Sequence, residues 1–160
     1  MRPITFTVAL LGGILVSCTA FAAGEACLLI AQTQVSAALE IPVNPGTPIS
    51  SPSTCQWIGK GRFATLTIMQ PLAGKGPIDR FNAGKTSKVP GITVEPVSGV
   101  GDSAYSFKLD VPQGLAGAAG IVAVKNGQYF TIQVAHKTGS SAALLQVLTD
   151  LAKTMAGKIQ

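Results

Sequence analysis

Gly101-Asp102-Ser103, inside the stretch "GVGDSAYSF", has the residue types of a serine hydrolase signature, and His136 is the one histidine in the chain. A serine hydroxyl becomes a nucleophile only when a base lies within hydrogen-bond reach and a third group orients that base. In chymotrypsin-like enzymes the motif continues Gly-Gly and the histidine comes earlier; here Ala104 and Tyr105 follow, and His136 comes later. In lipase-like enzymes with Gly-Asp-Ser-Leu the motif opens the mature chain, and an Asp-x-x-His partner closes it. Here the motif is mid-chain, and Gln133-Val134-Ala135 precedes His136. No orienting carboxylate stands at a recognisable spacing. The other reading is a turn: Gly99 and Gly101 admit positive φ, Asp102 can hydrogen-bond the backbone two residues on, and a strand follows at once. A phosphate-cradling loop would need a helix after the glycines.

The remaining chemistry-bearing residues are few. Cys27 and Cys55 form an even pair, which in an exported chain means a disulfide closing a loop of roughly 30 residues, worth about 3–4 kcal/mol in the chain-entropy model. The competing redox or metal pair lacks a CxxC spacing and the additional ligands a zinc site takes. No metal and no cofactor is expected. Asp79, Glu95, Asp102, Asp110 and Asp150 offer carboxylates, but no spacing singles out a catalytic couple. Trp57 lies two residues after Cys55 and is expected to pack on the disulfide. Lys60, Arg62, Lys75, Arg80, Lys85 and Lys88 share their stretch with one acid, Asp79. They form a candidate contact patch for anionic headgroups, wall polymers or an acidic protein, against the plainer reading of a solvated edge. No aromatic-basic motif points to nucleic acid.

The elements that would position these residues begin after a secretory signal. Arg2, the apolar run Ile4–Val16 and the small residues "SCTAFAAGEA" give its three parts, with cleavage after Ala22. Leu15-Val16-Ser17-Cys18 also resembles the lipobox of bacterial lipoproteins, and on that reading Cys18 would be lipidated and the mature chain would touch a membrane. Either route exports the protein: periplasmic or secreted in the first case, membrane-anchored in the second. Residues 1–22 take away only Arg2 among charged residues, so the mature chain stays basic, and residues 23–160 suffice for one domain with a core.

Within it, Thr33 is read as the cap of a short helix carrying Val35, Ala38 and Leu39 on one face. Ile41–Thr54, rich in proline and hydroxyl residues, reads as a loop. Strands are expected over Arg62–Gln70, Ile92–Val97 and Ala104–Leu109, with a helical turn or two over Ile78–Ala83. Asn126-Gly127 predicts a type I′ hairpin in which Ala123 faces Phe130 and Ile121 faces Ile132. Tyr129, Thr131 and Gln133 then occupy the wetter face. Leu144, Val147, Leu148, Leu151 and Met155 mark a terminal amphipathic helix. The fold class is α+β: an antiparallel sheet with a short N-terminal helix and a C-terminal helix packed on one face.

Taken together, "CLLIAQTQVSAALEIPV", "CQW", "VSGVGDSAYSF", "VKNGQYFTIQV" and the final helix resemble, in order, a family of small bacterial cell-envelope proteins without an assigned function, many of them actinobacterial lipoproteins. Two positions depart from its pattern: Ile30 stands where threonine is usual, and Glu40-Ile41 replaces a Leu-Gly neighbourhood. The resemblance implies an exported, disulfide-linked α+β domain, makes Gly101-Asp102 a structural hallmark, and supplies no catalytic residues. The expected function is a non-enzymatic envelope module that binds a small ligand or a protein. The wetter sheet face and the segments Ile41–Thr54 and Leu72–Lys88 would carry the contacts. The alternatives are a small hydrolase using Ser103 and His136, and an inhibitor or accessory subunit of another envelope protein.

Overall fold

The computed structural model describes residues 26–60, 62–69, 76–109, 117–136 and 141–159. The expected signal segment with Cys18, and Lys75 and Asp110, lie outside them. Among the described residues, four helices and seven strands follow in chain order: α1 (Ala26–Leu29), α2 (Gln32–Leu39), β1 (Thr47–Ile49), β2 (Ser51–Gly59), β3 (Arg62–Met69), α3 (Pro77–Lys85), β4 (Ile92–Val97), β5 (Ser103–Leu109), β6 (Gly117–Lys125), β7 (Gln128–His136) and α4 (Ser141–Ala156). The strands make one antiparallel sheet in the order β1-β2-β3-β7-β6-β5-β4. The α+β class is therefore as the sequence predicts.

The hairpin register is also as predicted. Ala123 pairs with Phe130 and Ile121 with Ile132, and the turn residues Asn126 and Gly127 have φ of 49° and 74°. On this face Phe130, Ile132, Val134, Ile121, Cys55 and Trp57 are buried against Val35 and Leu39 of α2 and Leu144, Leu148, Leu151 and Met155 of α4. The 3.6-residue spacing of the α4 stripe and the two-residue spacing of the strands meet there to form the main core.

Three local expectations are corrected. The cap of α2 is Ala31, not Thr33: the Ala31 N–H donates to Gln34 Oε1 at 3.0 Å, so the acceptor comes from inside the first turn. The segment Ile41–Thr54 is not all loop. It contains β1 and the start of β2, and Thr47 pairs with Gln56. Prolines are tolerated there because β1 is the outermost strand. Asp102 does not bond two residues on. It crosses to the β6–β7 turn, accepting the Asn126 N–H at 2.7 Å and the Lys125 ammonium at 2.9 Å.

Cys27 and Cys55 are bonded, with Cα atoms 5.0 Å apart, and tie α1 to β2. The disulfide and the Trp57 indole share one nest: a Cβ on Gly46 would lie 2.7 Å from Cys55 Sγ and 2.8 Å from Trp57 Nε1. Lys158 Nζ donates to the Leu29 carbonyl at 2.7 Å, joining the chain's end to α1. A structural disulfide of this kind belongs to an oxidising, exported compartment. Among the described residues no helix is long and apolar enough to cross a membrane.

The strand order decides where the second face is covered. The chain leaves β3, in the middle of the sheet, and returns at β4, its far edge. It must therefore cross β7, β6 and β5, and it does so on the face opposite α4, with α3 packed on β4, β6 and β7. Pro77 opens α3, where its missing N–H costs nothing, and Asp79 Oδ2 accepts the Gly76 N–H at 3.2 Å. With 9 residues, α3 is only about 14 Å long and cannot roof the whole face.

Candidate functional site

Under and beyond the C-terminal end of α3 this face holds an open groove of about 370 Å³. Gly84 and Ser87 form its roof, Ile92 and Val94 its outer wall. Its floor is Tyr105 and Phe107 of β5, Val122 of β6, and Tyr129, Thr131 and Gln133 of β7. None of these side chains carries a formal charge at neutral pH. The wetter-face residues named from the hairpin register, Tyr129, Thr131 and Gln133, thus do line a concavity. They are half-buried rather than fully solvated.

A second small core anchors the groove. Phe81 of α3 inserts between Tyr105, Val122 and Val124. The Phe81 and Tyr105 rings lie 5.2 Å apart and tilted by 48°, within the favourable range for an aromatic pair. Lys85 Nζ lies 6.0 Å from the centroid of the Phe81 ring, so this cation is drawn onto α3 itself. Two glycines let aromatics enter. A Cβ on Gly84 would collide with the Tyr105 hydroxyl, and one on Gly120 would collide with the Phe107 ring. The Tyr105 hydroxyl therefore reaches the helix backbone, and the Phe107 ring lies over the gap that Gly120 leaves in β6.

Tyr105 is buried, yet among the described residues nothing hydrogen-bonds its hydroxyl. Burial first, and the neighbouring Tyr129 second, push its phenol up to about 12. Because the folded value lies above the ordinary value near 10, the neutral phenol's contribution to stability is complete below about pH 10 and is lost as pH rises through the folded value. Absorbance titration is expected to show a phenolate step near pH 12 that Tyr105→Phe removes. A full complement of tyrosines ionising near pH 10 would contradict this burial.

The structure does not bring Ser103 and His136 together. Ser103 pairs with Val124 at one end of β6, and His136 pairs with Gly117 at the other. Seven residues of strand put these positions roughly 24 Å apart along the sheet, far beyond the reach a general base requires. Asp102 is held elsewhere too, its carboxyl lowered by the Lys125 side-chain hydrogen bond and then by the Asn126 N–H. Gly99 and Gly101 have φ of 76° and 58°, as a turn there requires. The basic residues fall on separate elements. Lys60 and Arg62 flank the β2–β3 turn, Arg80 and Lys85 belong to α3, and Lys88 lies in the loop to β4. Among the described residues no cluster of three or more His, Cys, Asp or Glu is present.

The roof residues fall in the segment Leu72–Lys88 expected to carry contacts, but the sequence did not reveal which strands they would cover. Phe81, Gly84 and Ser87 are remote in sequence from β7 and meet it only through the β3-to-β4 crossover. Compared with known proteins, the chain matches no family model and no curated protein.

Proposed function

We propose that the protein is an exported, non-enzymatic binding module whose site is the groove between α3 and the second face of the sheet. The observation that carries this reading is a buried tyrosine hydroxyl with no partner among the described residues, in an uncharged concavity of about 370 Å³. Buried polar groups are normally satisfied, and an exception at a cavity wall is a place for a ligand to complete. The volume lies in the range of small-molecule pockets. The likeness to the envelope family and the signal-like first residues agree with delivery to the cell envelope, by cleavage after Ala22 or by lipidation of Cys18.

Thr131→Phe tests the site. Thr131 sits on a central strand at the groove floor, where a phenyl ring suits β structure and fills the cavity. A set of small neutral and charged aromatic fragments, followed by ligand-detected NMR, is expected to give binders to the wild type that are lost in Thr131→Phe. Fragments that bind both proteins equally, or none that bind the wild type, would overturn the reading.

A further inference from the structure

Resting on that reading of the groove, we propose that its ligand is a neutral aromatic molecule of one or two rings bearing a carbonyl-type acceptor, which receives the hydrogen bond of the Tyr105 hydroxyl.

Three observations converge on this class. The first is size. An apolar cavity of about 150 Å³ takes benzene, and the groove of about 370 Å³ is somewhat more than twice that. The second is surface. Tyr105, Phe107 and Tyr129 present rings in the groove, and Gly120 gives up its own side chain to let the Phe107 ring lie across β6. Flat partners gain most from such walls. The third is polarity. Tyr105 is 5% exposed, and its hydroxyl is a donor pressed against Gly84 with no acceptor among the described residues. A phenol, with an ordinary value of about 10, is protonated across physiological pH and so available as a donor. An anion placed here would meet no lining cation, because Lys85 is drawn over Phe81 and Lys88 lies exposed beyond Ser87. Desolvating a charge without a partner is far more costly than desolvating a carbonyl that finds a donor.

The test uses three probes of one shape on the disulfide-intact chain, by isothermal titration: 2-acetylnaphthalene, 2-ethylnaphthalene and 2-naphthoate. The ketone is expected to bind at least tenfold more tightly than the carboxylate. Tyr105→Phe is expected to weaken the ketone about five- to tenfold, the effect of one buried hydrogen bond, while leaving the hydrocarbon within about twofold. Equal loss for ketone and hydrocarbon, or a carboxylate that binds as well as the ketone, would overturn the ligand class and leave the groove standing. The carboxylate result would mean that Lys88 recruits acidic ligands instead. No binding by any of the three, or binding that Thr131→Phe leaves intact, would overturn the groove itself. Circular dichroism reports whether Tyr105→Phe folds; if it does not, the wild-type ranking of ketone against carboxylate decides alone.

Discussion

Replacing Gly101 with alanine is expected to lower stability by about 2–4 kcal/mol, read as a fall in the urea midpoint at unchanged slope. Two costs add. The residue has φ of 58°, in the left-handed region that a Cβ disfavours. The new methyl would also run into the Val124 carbonyl oxygen, which cannot rotate away because it belongs to β6. That same oxygen accepts the Asp102 N–H at 2.7 Å, so relieving the clash breaks the bond that docks the turn. Asp102 would then lose its alignment on Lys125 and Asn126 at the far hairpin. Against a total stability of about 5–15 kcal/mol, typical of such a domain, this is a large effect from one methyl group. Ser103→Ala, two residues on, is expected to stay within about 1 kcal/mol of wild type. A Gly101→Ala protein as stable as wild type would contradict the docking described here.

Loss of the Cys27–Cys55 bridge is the second large effect. The cysteines are 28 residues apart, and a loop of that length contributes about 3–4 kcal/mol through the unfolded state. The enclosed segment comprises α2, a proline-rich stretch and the three-residue strand β1, and Leu29, Ile30, Val35, Leu39 and Val43 anchor it in the main core. The Cys27→Ser/Cys55→Ser double variant, or reduction of the wild type, should lower the unfolding midpoint by that amount. The single tryptophan reports the event directly, because Trp57 and the disulfide flank the same glycine and a disulfide quenches an adjacent indole. Fluorescence should rise on reduction before the chain unfolds. An unchanged midpoint would mean that packing alone secures the N-terminal segment.

The two halves of this structure were not equally readable from sequence. The β6–β7 hairpin was legible because Asn126-Gly127 allows few turns, and one register then places every apolar residue on one side. α4 was legible because its stripe is long and strictly periodic. β1 was not, because Pro48 and its neighbours carry loop chemistry that only an outermost position reconciles with pairing. The partner of Asp102 was not, because a side chain's long-range acceptor role has no local pattern. The groove was half legible. Its floor followed from the alternation of Tyr129, Thr131 and Gln133. Its roof depends on which strand the chain returns to after β3, and sequence periodicity does not encode strand order. Gly84 and Gly120 could have served as signals: each is a residue without a side chain inside a regular element, a common sign of close approach.

The most direct test of the central claim is where a ligand lands. Backbone amide shifts should be followed in uniformly labelled, disulfide-intact protein while 2-acetylnaphthalene is added. The structure predicts saturable shifts grouped at Gly84, Ser87, Ile92, Val94, Val122 and Thr131, with the α2–α4 side of the sheet unchanged. Shifts centred instead on the cleft between α2 and α4, around Ala38 and Leu151, or scattered without saturation, would contradict the assignment of this groove as the binding site.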